Sequence, residues 1–140
     1  MAMTYQQQYV LDGSVSRDAI LNLTARHNRL FSEGDRNGWI ATFRHSGARF
    51  TRDGTEFTDL REAFDGEKGR LVTVDHDISV DGVNATQRCV ALLFTVTGDG
   101  TTLRATGSFR DQLIYERGGW YFTSRDLQWD SVSNGHSLTV

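Results

Sequence analysis

The segment from Leu71 to Trp129 alternates between apolar and polar residues, and this period of two constrains the fold more than any other feature. Such alternation is typical of strands that bury one face of a sheet. Glycine-containing turns divide the segment into four long strands, which are expected to pair as antiparallel hairpins. The predicted strands cover residues 71–80, 86–97, 103–115 and 120–129.

The residues before this segment show the helical period instead. A long helix is predicted to begin at Ser14 or Ser16, whose hydroxyls can cap it, and to end at Gly34. Two short helices are predicted to follow, capped by Asp35 and Thr58. The apolar face of the long helix comprises Ile20, Leu23, His27, Leu30 and Phe31.

Helices that precede a long antiparallel meander define an α+β fold. We expect a cone-shaped, strongly curved antiparallel sheet that wraps around the long N-terminal helix and two short helices and encloses a pocket. At 140 residues the chain fits one domain. Residues 14–130 are predicted to form that domain, residues 1–13 a flexible arm, and residues 131–140 a polar tail.

Composition excludes several classes of protein. A net charge of −3 gives no electrostatic reason to bind nucleic acid or an acidic membrane surface. No apolar run reaches the roughly 20 residues of a spanning helix, and no export signal is evident. A single cysteine, Cys89, excludes an internal disulfide and favours the cytoplasm. The motifs of nucleotide cofactors, serine hydrolases and metal sites are missing, so we expect no cofactor and no metal.

Asp111 is the one charged residue in the apolar stripe of the third long strand. If that face points inward, burial raises the pKa of the carboxyl group. The group could then act as a general base or, when protonated, donate to a developing oxyanion. The alternative is a structural acid that is paired with an arginine or a backbone N–H.

Two histidines are further catalytic candidates. His27 lies on the apolar face of the long helix and is either a hydrogen-bonded core residue or a proton-transfer partner of Asp111 across one apolar cavity. His76 shares a predicted strand face with Val72 and Val74, and is either an edge or interface residue or a third catalytic group. The residues expected to shape a substrate pocket are Trp39, Phe109 and Leu113.

The chain carries two further motifs: the helix junction Ser32–Trp39, followed by Phe43, and the closing strands Gly107–Leu113 and Gly118–Arg125. Both resemble the nuclear-transport-factor-two-like superfamily, in particular its SnoaL-like, polyketide-cyclase branch. The resemblance covers about residues 14–130 and is diagnostic of fold rather than of reaction. Members of this superfamily include ketosteroid isomerase, scytalone dehydratase, polyketide cyclases and non-catalytic binding modules.

The resemblance also places individual residues. His27 falls where the isomerase has its oxyanion-hole tyrosine, and Asp111 falls where it has its protonated aspartate. The isomerase base would align near Thr51, which cannot take that proton. The dehydratase has an aspartate that would align near Ser32 and a strand histidine that would align near Leu71. His76 lies several residues after this second position.

The resemblance implies a cofactor-independent isomerase, dehydratase or cyclase that acts on a hydrophobic small molecule such as a polyketide, steroid or aromatic intermediate. The alternative is a non-catalytic binding or dimerisation module of the same fold, and a small subunit of an oxygenase is a third possibility. Members commonly dimerise through the outer face of the sheet, so a homodimer or homotrimer is expected. That face would comprise Arg104, Thr106, Ser108, Arg110 and Ile114.

Overall fold

The structure is a computed structural model that describes residues 5–64 and 68–130, with side chains from residue 13 onward. The tail predicted for residues 131–140 lies outside the described residues. The three helices within the described ranges are α1 (Tyr5–Glu33), α2 (Arg36–Ile40) and α3 (Leu60–Ala63). None of these helices is both long enough and apolar enough to cross a membrane.

The start predicted for α1 at Ser14 or Ser16 is wrong, because the backbone is already helical from Tyr5. The segment ahead of Ser14 contains no proline and is rich in glutamine, which has a high helix propensity, but it carries no apolar stripe that would reveal a helix. The predicted end is confirmed, since α1 stops at Glu33 and Gly34 follows with a φ of +75°.

Acidic side chains cap both short helices. Asp35 caps α2 as predicted, and its Oδ1 accepts a hydrogen bond from the backbone N–H of Gly38 (2.9 Å). The cap predicted for α3 at Thr58 is wrong, because Asp59 occupies the extended position before the helix and accepts from the N–H of Arg61 (3.0 Å). Aspartate accepts this bond at least as well as threonine, so the cap moves by one residue.

The sheet contains six strands: β1 (Arg49–Arg52), β2 (Thr55–Phe57), β3 (Arg70–Asp81), β4 (Asn84–Thr97), β5 (Gly100–Glu116) and β6 (Gly119–Trp129). They form one curved, unclosed sheet in the order β2-β1-β6-β5-β4-β3. The four long strands pair in antiparallel fashion, as predicted, but β1 runs parallel to β6. Parallel neighbours need a long connection, which the chain from β2 to β5 supplies.

Helix α1 packs against β3 and β6, which lie on the two sides of the β4–β5 hairpin in the sheet, and the core forms between the helix and the sheet. The predicted α+β class and the curved sheet around a long N-terminal helix are therefore confirmed. The most deeply buried apolar residues of this core include Ile20, Leu23, Trp39, Phe43, Ala91, Phe109, Leu113 and Phe122.

A β-bulge interrupts β3 and changes which residues face the core. Val74 pairs with Val90 and Asp77 pairs with Arg88, so Asp75 and His76 together lie opposite Cys89. An extra residue of this kind shifts the alternation of side chains by one position. Asp75 adopts a positive φ of +54° at this point.

The bulge corrects the predicted face of β3. Ahead of it, Leu71 and Thr73 point toward α1, while Val74 is 37% exposed. After it, His76 points inward and hydrogen-bonds to the buried Gln87. The prediction that His76 shares one face with Val72 and Val74 is therefore wrong, since regular alternation ends at Asp75.

Candidate functional site

A buried ion pair joins the two central strands β5 and β6. Asp111 and Arg125 are register partners, and both side chains are fully buried. Arg125 Nε donates to Asp111 Oδ1 (2.7 Å) and Nη2 donates to Oδ2 (3.0 Å), which is a bidentate arrangement. The guanidinium also stacks over Phe109, with 3.7 Å from Cζ to the ring centroid.

Opposing influences act on the Asp111 carboxyl group. Burial is the largest influence and leaves the pKa of Asp111 raised, while the charge and hydrogen bonds of Arg125 and the amide of Gln87 offset part of this rise. Gln87 Nε2 donates to Asp111 Oδ2 (2.9 Å), so the carboxyl group accepts three N–H bonds in all. Asp111 therefore has the surroundings of a carboxylate paired with an arginine, which is the arrangement of the structural alternative.

Gln87 extends this pair toward α1 and β3. Its Nε2 also donates to Thr24 Oγ1 on α1 (2.9 Å), and the Thr24 hydroxyl donates in turn to the carbonyl oxygen of Ile20 (2.9 Å). The amide oxygen of Gln87 lies 2.9 Å from His76 Nδ1. Asp111 is thus connected to His76 through a single side chain.

His76 is the centre of a polar cluster between α1 and β3. Its Nε2 lies 3.1 Å from Thr73 Oγ1, which accepts a hydrogen bond from Asn28 Nδ2 (2.8 Å). Asn28 Oδ1 is buried and has no hydrogen-bond partner within the described part of the chain. We call His76, Thr73 and Asn28 the polar cluster.

The polar cluster lies on the wall of an open pocket of about 650 Å³ between α1 and β3. Arg29, Glu33 and Arg70 are charged residues on its lining, and Arg29 forms an i,i+4 ion pair with Glu33 (3.6 Å). The apolar part of the lining comprises Leu21, Ala25, Leu71, Val72 and Val96. An apolar wall with a few convergent polar groups is the usual form of a small-molecule site.

His27 lies in a different environment, inside the aromatic core. Its ring centroid is 5.1 Å from that of Trp39, 5.7 Å from that of Phe43 and 5.4 Å from that of Phe122. Its Nδ1 lies 2.9 Å from Thr42 Oγ1. Burial, and then the charge of Arg125, hold the pKa of His27 well below 6.5, so the ring is neutral.

The expectation that His27 and Asp111 face one apolar hollow is wrong. His27 lines a cavity of only about 30 Å³, room for about one water molecule, and Asp111 is not on its lining. Trp39 and Phe109 line this small cavity as well, whereas Leu113 does not. The aromatic side chains around His27 fill the interior that was expected to hold a substrate.

The sequence pattern singles out neither Arg125, Gln87 and Asn28 nor the two threonines Thr24 and Thr73 of this network. Gln87 could have been found, because it alternates with Ala85 and Cys89 on the inward positions of β4. Arg125 could not, because a register shift between Gln112 and Leu113 moves it opposite Asp111. Asn28 follows Thr24 by one helical turn, but a polar residue beside an apolar stripe gives no signal of its own.

The remaining candidates give no further site. Burial raises the pKa of the Cys89 thiol to about 11, so this residue is not a thiolate nucleophile. No group of three or more metal-binding side chains occurs among the residues that the structure describes. Thr51 lines a depression on the outer face of the sheet, with Arg49 and Arg110, away from the pocket beside α1.

A curved, unclosed sheet over a long N-terminal helix, with a polar cluster on the wall of an open pocket, defines the α+β class of this protein. A family model described as the SnoaL-like domain matches residues 14–126. The chain belongs to this SnoaL-like family.

Solved structures share the fold. A protein of unknown function from Mycobacterium tuberculosis is 27% identical, with 95% of this chain and 80% of that chain covered and a TM-score of 0.79. An NTF2-like protein with a cystatin-like fold from Novosphingobium aromaticivorans is 17% identical, with coverages of 94% and 88% and a TM-score of 0.73. A proposed scytalone dehydratase from the same organism is 15% identical, with coverages of 90% and 91% and a TM-score of 0.72. No curated protein sequence matches the chain significantly.

Proposed function

We propose that this protein is a cofactor-independent acid–base enzyme of the isomerase, dehydratase or cyclase type, with His76 as its proton-transferring group. The substrate would be a largely hydrophobic small molecule bound between α1 and β3. The observation that carries the proposal is the polar cluster on the wall of a pocket of about 650 Å³. The family includes isomerases and dehydratases, which supports the same class of reaction.

The lining of the pocket suits a molecule with an apolar skeleton and one polar end. The apolar residues would remove the skeleton from water, and the polar cluster would hydrogen-bond to a carbonyl or hydroxyl group.

The chemistry needs one proton acceptor at the pocket wall. His76 Nε2 would take a proton from the carbon next to a carbonyl group, leaving an enolate. Return of that proton to a different carbon gives isomerisation, while loss of a β-hydroxyl group, protonated to water, gives dehydration. In the resting protein the Thr73 hydroxyl lies within hydrogen-bond distance of His76 Nε2 (3.1 Å). This hydroxyl would have to turn away before Nε2 could take a proton from the substrate, which costs one hydrogen bond, or about 1 kcal/mol.

The test compares two substitutions on neighbouring residues of β3. His76→Gln removes the titratable group but keeps a polar side chain, whereas Asp77→Asn changes an exposed residue on the opposite face. The probes are an aryl β-hydroxyketone, followed by the absorbance of its conjugated product, and a β,γ-unsaturated ketosteroid, followed by deuterium uptake from solvent. We expect His76→Gln to lower turnover about 100-fold or more and Asp77→Asn to leave it unchanged. Equal turnover in His76→Gln and the parent protein would remove His76 from the mechanism.

A specific observation favours the non-catalytic alternative. Both ring nitrogens of His76 already lie within hydrogen-bond distance of protein groups, and the Ser32 hydroxyl is held by the carbonyl oxygen of Asn28 and the N–H of Leu71. A binding module would hold the same probes without turning them over. Saturable binding of a probe that is recovered unchanged, with or without His76, would therefore support this alternative over the enzyme.

A further inference from the structure

We infer that Gln87 is a positioning residue that fixes His76 as the Nδ1–H tautomer and leaves the Nε2 lone pair on the pocket side. This inference rests on the proposed function only for the role of that lone pair in proton transfer. The tautomer itself follows from the hydrogen bonds around Gln87 and does not depend on the identity of a substrate.

The orientation of the Gln87 side-chain amide is set by two acceptors. Its amide NH₂ group faces Asp111 Oδ2 and Thr24 Oγ1, each at 2.9 Å. Thr24 can only accept there, because its own proton goes to the carbonyl oxygen of Ile20. Turning the amide over would bring its oxygen against a carboxylate and a hydroxyl lone pair in a fully buried site, which is strongly unfavourable.

Asp111 is fixed as an acceptor by Arg125, since a guanidinium has only donors. The buried ion pair therefore determines which end of Gln87 reaches His76. The end that reaches it is the amide oxygen, at 2.9 Å from Nδ1. An amide oxygen accepts only, so Nδ1 must carry the proton.

The other side of the imidazole ring agrees with this assignment. Thr73 Oγ1 accepts a hydrogen bond from Asn28 Nδ2 and has its own proton left to donate. In the Nδ1–H tautomer, His76 Nε2, at 3.1 Å, is free to accept that proton. The donors and acceptors from Arg125 to Asn28 thus form one consistent chain. The opposite tautomer of His76 would place two acceptors, Nδ1 and the Gln87 amide oxygen, face to face.

His27 provides a matched reference within the same protein. The Thr42 hydroxyl donates to the carbonyl oxygen of Trp39 (2.6 Å), so it accepts from His27 Nδ1 (2.9 Å). His27 is therefore also an Nδ1–H tautomer, but through contacts that do not involve Gln87.

The experiment reads the tautomers directly in the full chain without any substrate. Long-range proton–nitrogen correlation spectra of protein labelled with nitrogen-15 at histidine distinguish Nδ1–H from Nε2–H, and are recorded on the alkaline side of the histidine titration. We expect both His76 and His27 to give the Nδ1–H pattern. In Gln87→Met the tautomer ratio of His76 should shift about tenfold toward Nε2–H while His27 keeps its pattern, because one buried hydrogen bond is lost. In Thr42→Val the tautomer ratio of His27 should shift while His76 keeps its pattern, because of these two histidines only His27 contacts Thr42.

An Nε2–H pattern for His76 in the parent protein would overturn the inference without any variant. So would an unchanged His76 pattern in Gln87→Met when the His27 signals report a native core. Failure of this inference is distinct from failure of the proposed function. If His76→Gln abolishes turnover but His76 is the Nε2–H tautomer in the parent protein, catalysis by His76 is supported and the role of Gln87 is not. If His76 is the Nδ1–H tautomer but no probe is turned over, Gln87 orients His76 in a binding site rather than in an active site.

Discussion

At the scale of single residues, Asp111 shows what a lone charge in an apolar stripe can mean. The stripe predicted its burial, and Asp111 is 3% exposed. Whether the buried Asp111 is a catalytic or a structural residue depends on its partners, because a buried carboxylate is tolerated only when donors surround it. Arg125 and Gln87 supply three such donors, so Asp111 lies behind the pocket and reaches it only through Gln87 and His76.

His27 leads to a prediction on pH. The pKa of His27 is held well below 6.5 in the folded protein, so below that pH the unfolded chain binds a proton that the folded protein does not. Stability should therefore fall as the pH is lowered from 6.5, by up to about 1.4 kcal/mol per pH unit. His27→Gln should remove this part of the slope. Urea unfolding at a series of pH values, with His45→Gln at an exposed site as control, measures it; identical slopes in parent and His27→Gln would contradict it.

At the scale of elements, the bulge in β3 is the feature that brings His76 into the interior. Asp75 adopts a φ of +54°, a conformation that costs most residues about 1–2 kcal/mol and costs glycine almost nothing. We expect Asp75→Val to lower the free energy of unfolding by about 1–2 kcal/mol. Asp75→Gly should leave it unchanged or raise it slightly.

The control for this prediction is Asp77→Val, because Asp77 is exposed on the same strand and has no positive φ. Valine favours strands, so this variant should not lose stability. Urea unfolding of the three variants gives the comparison. Equal losses in Asp75→Val and Asp77→Val would show that the loss comes from the exposed valine and not from the backbone of the bulge.

The helices and strands differ in whether a local sequence pattern predicts them. Apolar periodicity located the long strands and the end of α1, because each depends on neighbours along the chain. The start of α1, the parallel pairing of β1 with β6 and the bulge at Asp75 depend on other parts of the fold and leave no local pattern. The sequence pattern therefore indicates His76 as a candidate, but not its contact with Gln87, which forms across the β3–β4 pair.

At the scale of the whole molecule, the position of the open space differs from the expectation. A cone around one helix suggested a central hollow, but aromatic side chains leave only about 30 Å³ beside His27. The larger space lies to one side, where α1 and β3 diverge above the polar cluster. Self-association through the outer face of the sheet stays a prediction, and nothing in the pocket beside α1 depends on it.

The last prediction tests whether that lateral pocket is where small molecules bind. Ala25 lies on its lining, on the exposed side of α1, so Ala25→Phe should fill the pocket without disturbing the buried face of the helix. Arg26→Phe places the same ring one residue further along, where it does not line the pocket. The probe is anilinonaphthalene sulfonate, an amphiphilic anion whose sulfonate suits Arg70 at the pocket.

We expect Ala25→Phe to weaken binding of the dye at least tenfold, measured by fluorescence titration, because the ring occupies the volume that the dye would need. Arg26→Phe should bind it as the parent protein does, apart from the loss of one positive charge nearby. Urea unfolding confirms that both variants are folded. Equal affinity in Ala25→Phe and the parent protein would show that the dye binds elsewhere. This result would contradict the prediction that small molecules bind between α1 and β3.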